Sequence, residues 1–290
     1  MIYLRLHDRL GNILFMIAAA LHLDRNVSVF CNSSRDLSYV SKIIEYLSLP
    51  VKIRTPKETI TDKHEYYTPT VYKSINYKPG GVMLLDGYFQ SYRYFSKKEV
   101  IEWFRCPDDL NEQIQKEWGG ILDSKETVCV HVRRGDYLKL PERFPFVGKS
   151  YLKKAISKFK ENNTVFIFTS DDIAWCKKHF SGDNIYYSED KNEFFDLFLA
   201  SKCKHNILSN STFSWWGAYL NGNPGKKVIY PQRWYGPVLA KEVEEEKGEL
   251  IPDNWVTVKC GWDDWKDYVK AYYRYWRINW RDLVPFLQKH

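Results

Sequence analysis

From residue 127 to residue 231 the chain repeats one pattern: a short apolar run, a polar break, then a stretch of helical periodicity. Residues 127–132, 165–168, 184–187, 206–208 and 228–230 read as strands, and 151–160, 172–180, 193–200 and 213–220 as the helices between them. Strands this short and this apolar need cover on both faces, and crossover helices supply it. The pattern therefore predicts a parallel sheet with helices on both sides. The first half follows the same grammar with more interruptions. It has strands at 2–6, 27–31 and 82–85, helical patterning at 13–23, 37–47 and 96–118, and a polar, aperiodic segment at 55–81. Gly119-Gly120 is the best candidate hinge. The expected organisation is an N-terminal α/β domain over 1–120, a C-terminal α/β domain over 121–260 and a final segment over 261–290. Two such domains facing across a cleft suit an enzyme with a bulky donor and a separate acceptor.

Charge and cysteine usage narrow the chemistry. The net charge of +7 favours an anionic partner, either a nucleic acid, an acidic membrane surface or a nucleotide-linked substrate. The basic residues are interleaved with acids, so no nucleic-acid footprint forms and no nucleic-acid partner is expected. The six cysteines make no Cys-x-x-Cys pair and no cluster with metal-ligand spacing. No basic leader, long apolar leader or membrane-length apolar run is present, so a cytoplasmic, reduced protein is expected.

Three loops follow predicted strands in the C-terminal half, where they would line one edge of the sheet. The first is His131-Val132-Arg133-Arg134-Gly135-Asp136-Tyr137. Its arginines have the planar fork that pairs with phosphate oxygens, although a double arginine is also common in a salt-bridged turn. The second is Thr169-Ser170-Asp171-Asp172, which either caps the next helix or meets a ribose or base edge. The third runs from Ser209 through Asn210, Ser211, Thr212 and Phe213 to Trp215-Trp216. Its hydroxyls sit where a helix N-terminus suits a diphosphate, a role compatible with ordinary capping. Neither a Walker-type phosphate loop nor a Gly-x-Gly-x-x-Gly fingerprint occurs, which weakens NTPase and dehydrogenase readings.

The three loops, in this order, resemble the signatures of the inverting α-1,2-fucosyltransferases, glycosyltransferase family 11. Gly87-Tyr88-Phe89-Gln90-Ser91 and Leu10-Gly11-Asn12 are similar to two further elements of that family. The chain departs from it at Ile13-Leu14-Phe15-Met16, where the family continues with Gln and an aromatic pair; this lies on the expected acceptor side. The resemblance implies two Rossmann-like domains of the GT-B type and no cofactor beyond the donor substrate, GDP-fucose. It also implies metal-independent transfer of fucose, with inversion, to the 2-hydroxyl of a β-galactoside oligosaccharide or glycolipid. By motif position it implies that Arg133 contacts the β-phosphate and Arg134 supports it. Asp171 and Asp172, with Ser170, would lie near the nucleoside. Asn210, Ser211, Thr212 and Phe213 would lie near the diphosphate, and Asn12 would reach toward the donor. His131 belongs to the same binding set. Asp136 is a candidate general base, with an ion pair to either arginine as its alternative; His131 as a packed strand residue, and His7 and Asp8 as further bases, stay open.

The last segment carries Trp262, Trp265, Val269, Tyr272, Trp276 and Trp280 at helical spacing beside a row of Lys and Arg. Two readings follow: an interfacial helix over 262–281 touching the inner membrane surface, or a helix packed on the protein itself. Oligomeric state is not legible.

Overall fold

The computed structural model describes residues 1–54, 65–67, 72–140, 143–159, 163–236 and 250–261, with Lys266, Val269 and Tyr273 beyond them. The chain divides into two compact units, residues 1–114 with 245–253 and residues 115–244 with 254–290. Apart from those three positions, the aromatic and basic stripe of the last segment lies outside the described residues.

The first unit contains β1 (Ile2–Arg5), α1 (Leu10–Leu23), β2 (Val27–Phe30), α2 (Ser34–Tyr46), β3 (Val51–Ile53), β4 (Glu65–Tyr67), β5 (Met83–Leu85), α3 (Lys97–Trp103) and the start of α4 (Asp108–Ser124). Its five strands are all parallel in the order β3-β2-β1-β5-β4. From β1 the chain winds outward through β2 and β3, then returns to the other side of β1. The strand order therefore reverses between β1 and β5.

The second unit continues with β6 (Glu126–Val132), α5 (Lys149–Ile156), β7 (Thr164–Ser170), α6 (Ile173–His179), β8 (Ile185–Tyr187), α7 (Glu193–Lys202), β9 (His205–Ile207), α8 (Thr212–Leu220), β10 (Val228–Pro231) and β11 (Val256–Val258). These six strands are again all parallel, in the order β11-β10-β9-β6-β7-β8. Here the reversal falls between β6 and β9. Crossovers on the two sides of a reversal leave in opposite directions, so the loops at the carboxyl ends part and leave a crevice. Both units are Rossmann-like α/β folds, as the alternation predicts.

Burial explains the strand sequences. In β6, Val128, Cys129, Val130 and Val132 are all buried, so both faces of the strand are covered and its sequence runs apolar without alternation. Of the six cysteines, all free, Cys31, Cys129, Cys176 and Cys203 are buried and act as small apolar residues.

Two local readings differ from the sequence expectation. Gly119 and Gly120 form no loop; they lie inside α4. Leu110, Ile114, Trp118 and Leu122 recur every fourth residue and are all buried. That stripe outweighs a glycine penalty of about 1 kcal/mol each. Strand β4 arises within the polar segment at 55–81, because parallel pairing with β5 supplies what local composition does not. Residues 55–64 and 68–71 of that segment lie outside the described residues. Among the described residues no helix is long and apolar enough to cross a membrane.

Helix α8 is held against α7 by a missing side chain. A Cβ on Gly217 would lie 2.9 Å from the Cβ of Ala200, closer than packed carbons approach. Trp215 and Trp216 are both fully buried on the same helix, which fixes its rotation. Gly217→Val is expected to destabilise the protein by about 2 kcal/mol through overpacking, measured as a shift in the urea midpoint with an unchanged slope.

Candidate functional site

At the reversal in the second unit, four loops come from the carboxyl ends of β6, β7, β8 and β9. Each brings residues that touch its neighbours. Arg133 follows β6 directly and is 29% exposed. Its Nε and Nη2 donate to Oδ1 of Asp136 at 3.0 and 2.8 Å, and its Nη1 lies 3.1 Å from Oδ2 of Asp171. Burial opposes the guanidinium charge, but Asp136 and Asp171 outweigh it and hold the group above its usual pKa. The two carboxylates fix the fork while leaving part of it open.

Arg134 is built differently. Its side chain is only 12% exposed, with Nε donating to Oδ2 of Asp172 at 3.2 Å. Its guanidinium carbon lies 4.1 Å from the Trp175 ring centroid and 5.7 Å from that of Phe146. A charge packed between rings and a carboxylate is a strut. The two arginines therefore stand in different surroundings, Arg133 partly exposed between two carboxylates and Arg134 packed against rings.

The Asp171-Asp172 pair holds this arrangement together. Oδ1 of Asp171 accepts from the backbone N–H of Arg134 at 2.9 Å. Oδ1 of Asp172 accepts from the Trp175 N–H at 3.1 Å and caps α6. Ser170 joins the same joint, donating to the Val132 carbonyl at 2.7 Å and accepting from the Asp172 N–H at 2.9 Å. Capping, one of the two readings open from the sequence, is thus present, and both carboxylates are engaged with protein groups. Gly135 makes the joint close: a Cβ there would lie 2.6 Å from Oδ2 of Asp171.

On the other side of the reversal, the Ser209–Phe213 stretch starts α8. The Ser211 hydroxyl accepts from the Phe213 N–H at 3.3 Å. Ser214 Oγ donates to the carbonyls of Ser209 and Ser211, each at 2.9 Å. Tyr137 from the first loop donates to the Asn210 carbonyl at 3.0 Å and ties the two sides together. The Asn210 side chain is buried and donates to the Trp234 carbonyl at 2.9 Å, which makes it a brace of the loop. Thr212 and Phe213 are partly exposed in the first turn, where the helix dipole favours an anion. His131, at the end of β6, is buried and reaches across to Ser209 with Nδ1···Oγ at 2.8 Å. Burial, then the charge on Arg133, depresses its pKa to about 3, so it is neutral at ordinary pH.

Asp196 shows a further feature that the sequence did not single out. It lies in α7 beside Ser188, which donates to it at 2.6 Å just past β8, and burial pushes its carboxyl up to about 6. An acid so shifted near the carboxyl edge of the sheet is a candidate site residue. In sequence it is only a polar position in an apolar helix.

The first unit has its own cluster at the β1/β5 reversal. Asn12 donates to Asp8 at 2.8 Å, Gln90 donates to Asn12 at 2.9 Å, and the Tyr88 hydroxyl donates to Asp8 at 3.3 Å. Asp8 and Phe89 both have left-handed backbones, with φ of 75° and 51°. The two short motifs Leu10-Gly11-Asn12 and Gly87–Ser91, far apart in sequence, therefore meet through side chains. Ile13, Leu14, Phe15 and Met16, placed on the acceptor side by the sequence reading, are fully buried in α1. They belong to the core of this unit and touch no open surface. Among the described residues, no group of three or more His, Cys, Asp or Glu is placed to hold a metal ion.

Two measurements test these assignments. Gly135→Ala is expected to push Asp171 off the Arg133-Arg134 turn, seen as shifted Arg133 and Arg134 side-chain signals in 15N NMR spectra, while the melting temperature moves little. For His131, a depressed folded-state pKa stabilises the fold above the unfolded value of about 6.5 and loses that contribution as pH falls toward 3. Wild type is therefore expected to lose roughly 2 kcal/mol between pH 7 and pH 5 relative to His131→Asn, read from paired denaturation curves.

Residues 1–259 match the family model described as Glycosyl transferase family 11. An Escherichia coli protein named O-antigen biosynthesis glycosyltransferase WbnK is 36% identical over 147 residues, 48% of this chain and 46% of that one. An Escherichia coli alpha-1,2-colitosyltransferase is 33% identical over 198 residues, covering 64% and 66%. The Mus musculus galactoside 2-alpha-L-fucosyltransferase Sec1 is 28% identical over 242 residues, covering 77% and 65%. The matched stretches thus span about half to two thirds of these relatives' lengths. The crystal structure of fucosyltransferase NodZ from Bradyrhizobium shares the fold with a TM-score of 0.51 at 11% identity, over 74% of this chain and 91% of that one. With the family match running through both α/β units, the chain belongs to glycosyl transferase family 11.

Proposed function

We propose that the protein transfers L-fucose from GDP-fucose to the 2-hydroxyl of a galactose-type acceptor, with inversion and without a metal. The observation that carries this reading is Arg133, held by Asp136 and Asp171 at the β6/β9 reversal where α8 also begins. The activity named for the mouse relative, transfer of L-fucose to position 2 of a galactoside, supports the sugar and the linkage, and the α-1,2 activity of the Escherichia coli colitosyltransferase supports the linkage.

The chemistry follows from charge. As the bond between the anomeric carbon and the phosphate oxygen breaks, positive charge grows on the sugar and negative charge on the departing diphosphate. Arg133 and the N-terminus of α8 meet that negative charge with donors already in place, an effect generally worth about 3–4 kcal/mol per donor. Inversion requires the acceptor oxygen to attack from the opposite face and give its proton to a base. Both Asp136 side-chain contacts go to Arg133, so its carboxylate orients the arginine.

Arg133→Ala is expected to keep the fold, seen as an unchanged circular dichroism spectrum, and to lose transfer by at least a hundredfold. Near-normal turnover would remove the assignment. Asp136→Asn is expected to lower kcat while keeping the basic limb of the pH–rate profile; loss of that limb would make Asp136 the base. GDP release with lactose present, well above that without it, separates a transferase from a binding protein. The colitosyltransferase relative favours a second donor sugar, and competition between GDP-fucose and GDP-colitose decides between them.

A further inference from the structure

His131 and Ser209 face each other across the reversal, and the direction of their hydrogen bond determines what His131 offers a ligand. Nδ1 of His131 lies 2.8 Å from Ser209 Oγ. Either atom has the chemistry to donate, because a neutral imidazole carries its proton on one nitrogen and a hydroxyl donates or accepts. The surroundings break the tie. Ser209 is 0% exposed, and His131 is the one partner of its hydroxyl among the described residues. Were Nδ1 the donor, the Ser209 proton would be sealed in the core with no acceptor, which is costly. With the hydroxyl donating, both groups are satisfied and the imidazole proton sits on Nε2.

That second nitrogen is placed differently. Nε2 has no partner among the described residues, and it is not one of the sealed polar atoms that lack one, so this nitrogen of the 7%-exposed residue keeps some accessible surface. The ring is held by Phe213, with centroids 5.1 Å apart and a 39° tilt, and Phe213 belongs to the first turn of α8. Its sequence neighbour two residues on is Arg133, whose fork is clamped by Asp136 and Asp171.

We infer that Ser209 is a positioning residue: its hydroxyl locks His131 as the Nε2–H tautomer, which donates a hydrogen bond to the diphosphate of the nucleotide beside Arg133. This rests on the nucleotide-binding role proposed above for the same reversal. The division suits the site. A neutral N–H adds a directed donor without placing a second buried cation beside Arg133. Its donor character also persists through the pH range in which an ordinary histidine changes charge.

Long-range nitrogen–proton correlation spectra of 15N-labelled protein read the tautomer directly, with His131→Gln identifying the signal among the seven histidines. Wild type is expected to show Nε2–H alone from pH 5 to 8. Ser209→Ala should populate the Nδ1–H form and weaken GDP binding about tenfold, and Ser209→Thr should restore both. His131→Gln, which offers an amide donor near the Nε2 position without needing Ser209, should bind GDP equally with and without Ser209→Ala. An Nδ1–H wild type, or a Ser209→Ala protein with unchanged tautomer and GDP affinity, overturns the inference. The tautomer is read on the protein itself and the affinities with GDP alone, so failure here is distinguishable from a failure to transfer fucose.

Discussion

The reversal of strand order beside β6 is the constraint on which the rest of the second unit's chemistry depends. Parallel strands must be joined by crossovers, and right-handed crossovers that leave a central strand in opposite directions cannot share one surface. The loops after β6 and β9 therefore part, and everything placed in the gap has to be held by side chains. Arg133 and Arg134 come from one side; Asn210, Ser211 and the start of α8 come from the other. The loop after β7 supplies the carboxylates that hold the arginines, because β7 is paired with β6 along its whole length. That register sets Val132 beside Ser170, and Ser170 bonds the Val132 carbonyl.

Around this gap the polar groups are committed in a consistent way. Arg134 and Asp172 are spent on structure, as are Ser170 and the Asn210 side chain. Arg133 keeps part of its fork open, and His131 keeps one nitrogen. Gly135 and Gly217 serve the same end from opposite sides, one by letting Asp171 close on the arginine turn, the other by letting α8 seat against α7. Held this way, the groups that stay open are fixed in position by the protein itself.

How much of this was legible beforehand varies with the physical origin of each feature. The strands around residues 128, 166 and 229 announced themselves because burial on both faces demands unbroken apolar runs. Strand β4 did not, since its pairing with β5 is a non-local contact that leaves no local period. Gly119-Gly120 misled in the other direction, because a buried stripe at every fourth residue overrode two weak helix formers. The site motifs were visible as residue types, yet Asp196 was not, since its shifted acidity comes from burial and from Ser188.

By itself the sequence determined the class of fold, two alternating α/β units, and the identity of the motif residues at strand ends, because periodicity and strand-end chemistry are local properties. It also carried the family resemblance in five ordered segments. Only the tertiary structure decided what each motif residue touches. Arg133 and Arg134 are neighbours of the same type, and their difference comes from partners 35 or more residues away in Asp171, Asp172 and Trp175. Asp8, Asn12, Tyr88 and Gln90 form one cluster because β1 and β5 are adjacent, a pairing that no window along the chain contains. The same holds for His131, whose hydrogen-bond partner Ser209 is brought opposite it by the order of strands. Hydrogen bonds between loops are set by topology, and topology is a global property of the folded chain.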